Sequence, residues 1–162
     1  MPKNPPPPVI DSARVLSYAL VDDIPYRQHG RLYVGDELLE AVPRLAIVLN
    51  LSKDIGPMLF HCDYQWNALG TSGAGSVAEV KDLAEKNYPG VSTRWIDINT
   101  SVEDALRYYD EQTGLALCNF CGKRPFETEG WVEGRAAHIC QTCIDSYYKE
   151  FHEVDPGSRD RE

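Results

Sequence analysis

Cys118, Cys121, Cys140 and Cys143 form two C-x-x-C pairs with eighteen residues between them. Each pair brings two thiols onto one tight loop. Two such loops close a tetrahedron around a Zn²⁺ ion and leave no coordination position for water. That is the chemistry of a structural metal. A catalytic zinc needs an open position and a nearby base, and neither is evident around these cysteines. The same residues suit a disulfide pair or a thioredoxin-like redox motif. A redox motif, however, needs only one C-x-x-C on a βαβ frame, and here two lie outside any such frame. The expectation is one structural Zn²⁺ held by all four sulfurs. His138 sits two residues before Cys140 and has the side chain of a fifth ligand, but four thiolates already saturate the ion, so it is expected outside the ligand set.

A second group, His61-Cys62-Asp63, has the residue types of nucleophilic catalysis. Neighbouring residues on a strand point to opposite faces, so His61 and Cys62 cannot form a dyad with each other. His61 and Asp63 share a face, as two metal ligands would, without a third. Cys62 reads as a small core residue. No catalytic residue is assigned, and no enzymatic activity is expected.

The elements that must carry these residues are legible in outline. Residues 1–11, opened by MPKNPPPPVI, read as a Pro-rich flexible tail. Residues 12–114 read as an α+β domain, with a helix-covered, mostly antiparallel sheet. Ala13–Leu20 alternates like a strand, and Leu45–Leu51 is the continuous apolar run of a buried central strand. Met58–Asp63 and Trp66–Thr71 predict a hairpin turning at Tyr64-Gln65. Gly70-Thr-Ser-Gly-Ala-Gly75 reads as a small-residue loop before a helix; it lacks the lysine of a phosphate-binding loop, and no such motif occurs elsewhere. Ser76-Val-Ala-Glu79 is a capping box whose helix places Val77, Val80, Leu83 and Ala84 on one stripe. Thr93–Ile98 predicts another strand. Thr100-Ser-Val-Glu103 predicts a second capped helix with Val102, Leu106 and Tyr109 facing inward.

From 115 to 152 the cysteines organise a separate module, followed by a flexible tail at 153–162. Gly122 follows the first pair, where a left-handed backbone lets amides point at a thiolate. Phe120, between the first two ligands, is expected to pack under the metal loop. After Cys143, Ile144, Tyr147, Tyr148 and Phe151 recur at i, i+3, i+4, i+7, the apolar stripe of a helix. With Phe126 and Trp131 they exceed what so small a module can bury, and they are expected to form a partner or dimer surface, or to dock on the upstream domain.

The run from Cys118 to Phe151 resembles the four-cysteine zinc-binding domain at the N-terminus of the AAA+ unfoldase ClpX. The letters that carry the likeness are Cys118-x-Phe-Cys-Gly-Lys123, Gly134 and Ile139-Cys-x-x-Cys-Ile-Asp145. They cover about 35 of the 162 residues; the acidic pair usual between the last two ligands is Gln141-Thr142 here. The resemblance implies a treble-clef-like module that forms homodimers and recognises substrates and adaptor proteins. The ATPase that such a domain serves has no counterpart in this sequence, so unfolding activity is not implied.

Composition narrows the partners. With 43% hydrophobic and 25% charged residues the chain is that of a globular protein. Its net charge is −9, and between Leu115 and Glu150 only Lys123, Arg124, Arg135 and Lys149 oppose five acidic residues. Phosphate-backbone binding wants clustered Lys and Arg, so nucleic acid is disfavoured and a protein partner favoured. No run of about eighteen apolar residues predicts a membrane span, and the proline-rich start has no apolar core of a secretory leader. The fifth cysteine, Cys62, has no partner left, which suits a reducing, cytoplasmic setting. The expected function is a non-catalytic zinc-binding interaction factor, a dimerising adaptor or modulator linked to the Clp unfoldase system. The alternative is an immunity or anti-toxin protein that neutralises a basic partner through the α+β domain, with the zinc purely structural.

Overall fold

A computed structural model describes residues 4–30, 32–52, 55–114 and 116–152. The chain divides into two compact units, Met1–Tyr109 and Asp110–Glu162. The expected flexible tail at 153–162 lies outside the described residues.

The first unit is α+β. Its sheet runs β1 (Val9–Ile10), β2 (Ala13–Leu20), β5 (Arg44–Asn50), β6 (Pro57–Cys62) and β7 (Ala68–Gly73), with β8 (Ile96–Asp97) also on β2. Every pairing is antiparallel. A separate small hairpin joins β3 (Tyr33–Val34) to β4 (Glu37–Leu38). β5 has neighbours on both sides and apolar cover on both faces, which is why its sequence is a continuous apolar run rather than an alternation. Leu45 and Ile47 point into one core cluster with Leu59, Val80, Ala84 and Tyr88. Ala46 and Val48 point into the other, with Val15, Tyr18, Phe60, Cys62 and Trp66.

Helix α1 (Val77–Asn87) covers the first face. Its cap is the predicted Ser76, whose Oγ accepts from the Glu79 N–H at 3.2 Å. The Glu79 carboxylate reaches back to the Gly75 N–H rather than to that of Ser76. Val80 and Ala84 are buried, whereas Val77, expected on the same stripe, is exposed in the first turn. Helix α2 (Val102–Gln112) begins one residue later than its predicted box. Ser101, not Thr100, caps it, accepting from the Asp104 N–H at 3.0 Å and donating to the Asp104 carboxylate at 2.8 Å. Ala105 therefore takes the buried position and Val102 is exposed.

The strand expected over Thr93–Ile98 is mostly a turn. The Glu85 carboxylate accepts from the N–H groups of Gly90 and Ser92, at 2.6 and 2.9 Å. Those bonds hold the chain in a 3₁₀ turn at Val91–Thr93, after Gly90 at φ +97°. Only Ile96 and Asp97 are left to pair with β2.

The residues read as a free N-terminal tail join the fold from Asn4 onward. Pro6 is buried and Val9–Ile10 form β1. The Asn4 carbonyl accepts from the Trp66 indole N–H at 3.1 Å and from the Arg44 guanidinium at 3.0 Å. The Gly-rich run is likewise strand at its start, since Gly70–Gly73 belong to β7. Gly70 sits at a close approach there: a methyl at this position would fall 3.0 Å from the side chains of both Leu32 and Leu39, which would have to shift to admit it.

The second unit contains a 3₁₀ turn at Pro125–Glu127, the hairpin β9 (Trp131–Glu133)/β10 (His138–Cys140) and helix α3 (Gln141–His152). Among its described residues only Cys118 and Cys140 are buried. No helix of the described residues is long and apolar enough to cross a membrane.

Candidate metal centre

Three pieces of local structure deliver the four sulfurs. Cys118 and Cys121 lie on a knuckle closed by two backbone bonds, Gly122 N–H to the Cys118 carbonyl and Cys118 N–H to the Lys123 carbonyl, both 2.8 Å. Gly122 has φ +75°, the left-handed conformation that glycine adopts without a Cβ penalty. Cys140 ends β10 opposite Trp131, and Cys143 stands in the first turn of α3. The Asn119 N–H donates to the His138 carbonyl at 2.9 Å, and the His138 N–H donates back to the Asn119 Oδ1. This exchange ties the knuckle to the hairpin. The Gln141 N–H bonds the Gly130 carbonyl at 2.9 Å and ties the helix start to it as well.

The four sulfurs lie within 4.8 Å of one another. Cys118 and Cys143 are 3.8 Å apart, and Cys121 and Cys140 are 3.6 Å apart. A disulfide would require about 2.05 Å. Zinc–thiolate bonds of about 2.3 Å place the corners of a tetrahedron roughly 3.8 Å apart. The spacing thus fits four ligands around one ion, and all four thiols are free. The Cys140 N–H points at the Cys118 sulfur, 3.4 Å away. Desolvation acts to raise the Cys118 pKa, but amides of Cys140, Cys121 and Phe120 outweigh it and hold this thiol below its ordinary range. Cys143 is pushed up, by desolvation and then by the neighbouring sulfurs. A bound cation would stabilise all four as thiolates.

His138 stays out of the cluster. Its ring stacks on Trp131 with centroids 5.5 Å apart, and Nε2 lies 3.5 Å from the Glu133 carboxylate. Phe120, expected beneath the metal loop, is instead 56% exposed, its ring set edge-on to Tyr147 at 5.3 Å. Beyond it Ile144, Tyr147, Tyr148 and Phe151 are exposed along α3, Tyr148 at 61% and Phe151 at 77%. Phe126 and Trp131 are half-buried.

One ion pair within this unit went unread in the sequence because its partners are fourteen residues apart. Arg124 grips the Asp110 carboxylate with a two-pronged contact, Nε to Oδ1 at 2.6 Å and a terminal nitrogen to Oδ2 at 2.7 Å. That hydrogen bond, with the guanidinium charge, holds the Asp110 carboxyl below its usual range against a smaller desolvation effect. Arg124→Lys keeps the charge but loses the fork, and is expected to destabilise the second unit by about 1–2 kcal/mol. Guanidinium denaturation of the metal-loaded protein, followed at Trp131, checks this.

The second sequence candidate separates as expected at His61 and Cys62. His61 faces the α1 side of the sheet, paired with Leu45, and Cys62 lies in the opposite cluster. Burial, with Asp63 and Asp11 nearby, pushes the Cys62 thiol up to about 12, so it is inert as a nucleophile. Asp63 builds a turn instead of a metal site: Oδ1 accepts from the N–H groups of Gln65 and Asn67, and Oδ2 from the Asn67 amide. The contact not foreseen is His61 Nε2 to Ser72 Oγ, 3.2 Å across β6 and β7. Register alone creates it, because Ser72 opposes Leu59 one diagonal away. It has the form of a nucleophile–base pair, yet no carboxylate among the described residues hydrogen-bonds the histidine to orient it.

Compared with known proteins, the chain matches no family model, no curated protein and no solved structure.

Proposed function

We propose that this protein is a non-catalytic interaction factor whose second unit is built on one structural Zn²⁺ and presents an apolar face to a protein. The observation that carries the reading is the aromatic row on α3. Tyr147, Tyr148 and Phe151 follow Ile144 on a unit with no buried described residue besides two metal-facing cysteines. Exposed aromatics in a continuous row are costly to solvate and mark contact surfaces. Knuckle, hairpin and helix succeed one another as in a treble clef, and the letters around the cysteines resemble the ClpX-type domain. Both support a cytoplasmic dimerising adaptor or modulator of the Clp unfoldase system. Tyr148→Ser with Phe151→Ser is expected to abolish self-association in sedimentation while metal content stays at one ion per chain. Self-association of the double variant equal to that of the wild type would count against the surface.

A second reading has its own observation. Strand β7 is an edge strand with neither charge nor proline between Ala68 and Gly73, and such edges invite pairing or contact. With a chain of charge −9, this supports neutralisation of a basic protein through the first unit. Here Cys118→Ser with Cys121→Ser would leave binding intact, whereas the α3 reading requires that binding be lost.

A further inference from the structure

Strand β1 reaches β2 through a turn of two residues, Asp11 and Ser12. Both have positive φ, 45° and 61°. A two-residue hairpin turn with two left-handed positions favours glycine, above all at the second, because a Cβ there lies too close to the following carbonyl oxygen. Neither residue is glycine. An aspartate escapes part of that cost through a local side-chain hydrogen bond. Here neither the Asp11 carboxylate nor the Ser12 hydroxyl hydrogen-bonds a described residue. The turn therefore holds strain that an extended conformation would release.

The arm that this turn tethers, residues 4–10, is held by contacts that any copy of the chain could supply. The Asn4 carbonyl sits on the Trp66 indole and the Arg44 guanidinium. The Pro8 carbonyl accepts from the Val15 N–H at 3.0 Å. Val9 and Ile10 are buried, Ile10 in the cluster that holds Tyr18 and Trp66. Every one of these partner groups belongs to a residue beyond the turn. A second copy offers the same set, contact for contact.

Register makes an exchange continuous. Val9 pairs with Arg14 and Ile10 with Ala13, an arrangement symmetric about the peptide between Asp11 and Ser12. With the turn extended, residues 9–20 run as one strand. Its first six residues then lie antiparallel on the same six of a second copy in unchanged register, with Asp11 opposite Ser12 and a two-fold axis between them.

We propose that residues 4–10 are exchanged between two copies of this chain, each arm completing the other's sheet. The arm contacts are equal in the closed and exchanged forms and cancel. What remains is the entropy lost on association against the relief of two strained turns, the balance that makes short strained hinges prone to exchange. This association lies wholly in the first unit and uses neither the α3 row nor the metal.

The test uses the full-length, zinc-loaded protein carrying Tyr148→Ser and Phe151→Ser, so that association through α3 does not enter. Sedimentation of this parent should show a monomer–dimer equilibrium at millimolar concentration. Ser12→Gly accepts the left-handed position without penalty and disfavours an extended strand. It should weaken the dimer at least about tenfold, because two turns relax at once. Ser12→Pro cannot adopt the positive φ of the closed turn and should drive the chain to the dimer. In a mixture of ¹³C-labelled and unlabelled chains, filtered NOEs should join the Ile10 methyls of one chain to the Ala13 methyl of the other. A parent or a folded Ser12→Pro protein that stays monomeric, a Ser12→Gly dimer as tight as the parent's, or Ile10–Ala13 contacts confined to one chain would each overturn the exchange. None of these outcomes touches the α3 surface, whose test is self-association of the chain with that row intact.

Discussion

Removal of the metal is expected to unfold residues 118–152 outright while the sheet of the first unit keeps its structure. Ordering backbone costs about 1–2 kcal/mol per residue, and the described residues of this unit form no hydrophobic core to offset it. Its buried described residues are Cys118 and Cys140 alone, and its aromatic side chains lie half-buried or exposed. The one compensating interaction of sufficient size is coordination, an apparent ~10–16 kcal/mol for structural zinc. Chelation, or Cys118→Ser with Cys121→Ser, should collapse the dispersed methyl resonances of Val132, Ile139 and Ile144. Those of Leu45, Ile47 and Val80 should persist. Retained dispersion in the first set under chelation would show that the module holds itself together without the ion. Oxidation in place of coordination would require the 3.6–3.8 Å sulfur pairs to close to about 2.05 Å.

The second large effect is a loss of stability of the first unit in mild acid, through His61. Burial lowers its pKa from 6.5 to about 4 in the folded chain. Between those values the unfolded chain binds a proton that the folded chain refuses, so stability rises with pH across the window. The contribution is complete above about pH 6.5 and is lost as pH falls toward 4. At 1.36 kcal/mol per pKa unit it amounts to about 2 kcal/mol by pH 5 and about 3 by pH 4. Hydrogen exchange of the slow amides at Leu45, Ile47 and Leu59 reads this unit apart from the metal site, which releases its ion in acid on its own account. His61→Gln should flatten the slope between pH 6.5 and 5, whatever its effect at pH 7. An unchanged slope, or an imidazole that titrates near 6.5, would exclude burial as the source.

The four-cysteine cluster was legible because its information is local. Cys118 and Cys121, at i and i+3, share one knuckle, and the Gly122 that closes it is the next residue along. Nothing from elsewhere in the chain is needed to read such a pair. β2 and β5 were legible for a related reason, since alternation and a continuous apolar run report directly on how many faces are covered. Where reading failed, a single distant or competing contact had intervened. Ser101 outcompeted Thr100 as a cap by exchanging bonds with Asp104. The Glu85 carboxylate turned a predicted strand at Thr93 into a 3₁₀ turn. Arg44 and Trp66, both bonded to one carbonyl of Asn4, drew a proline-rich start into the fold.

What the sequence determined by itself is therefore the cluster of Cys118, Cys121, Cys140 and Cys143, positioned to hold a metal ion, the α+β class and the apolar stripe of α3. Each is a pattern within a few residues, fixed by loop, strand or helix geometry. Only the tertiary structure decided that His61 meets Ser72 and that Asp110 meets Arg124. Those encounters depend on strand register and on which loop crosses which strand. Register follows from the summed packing of both sheet faces, a property that no stretch of the chain carries alone.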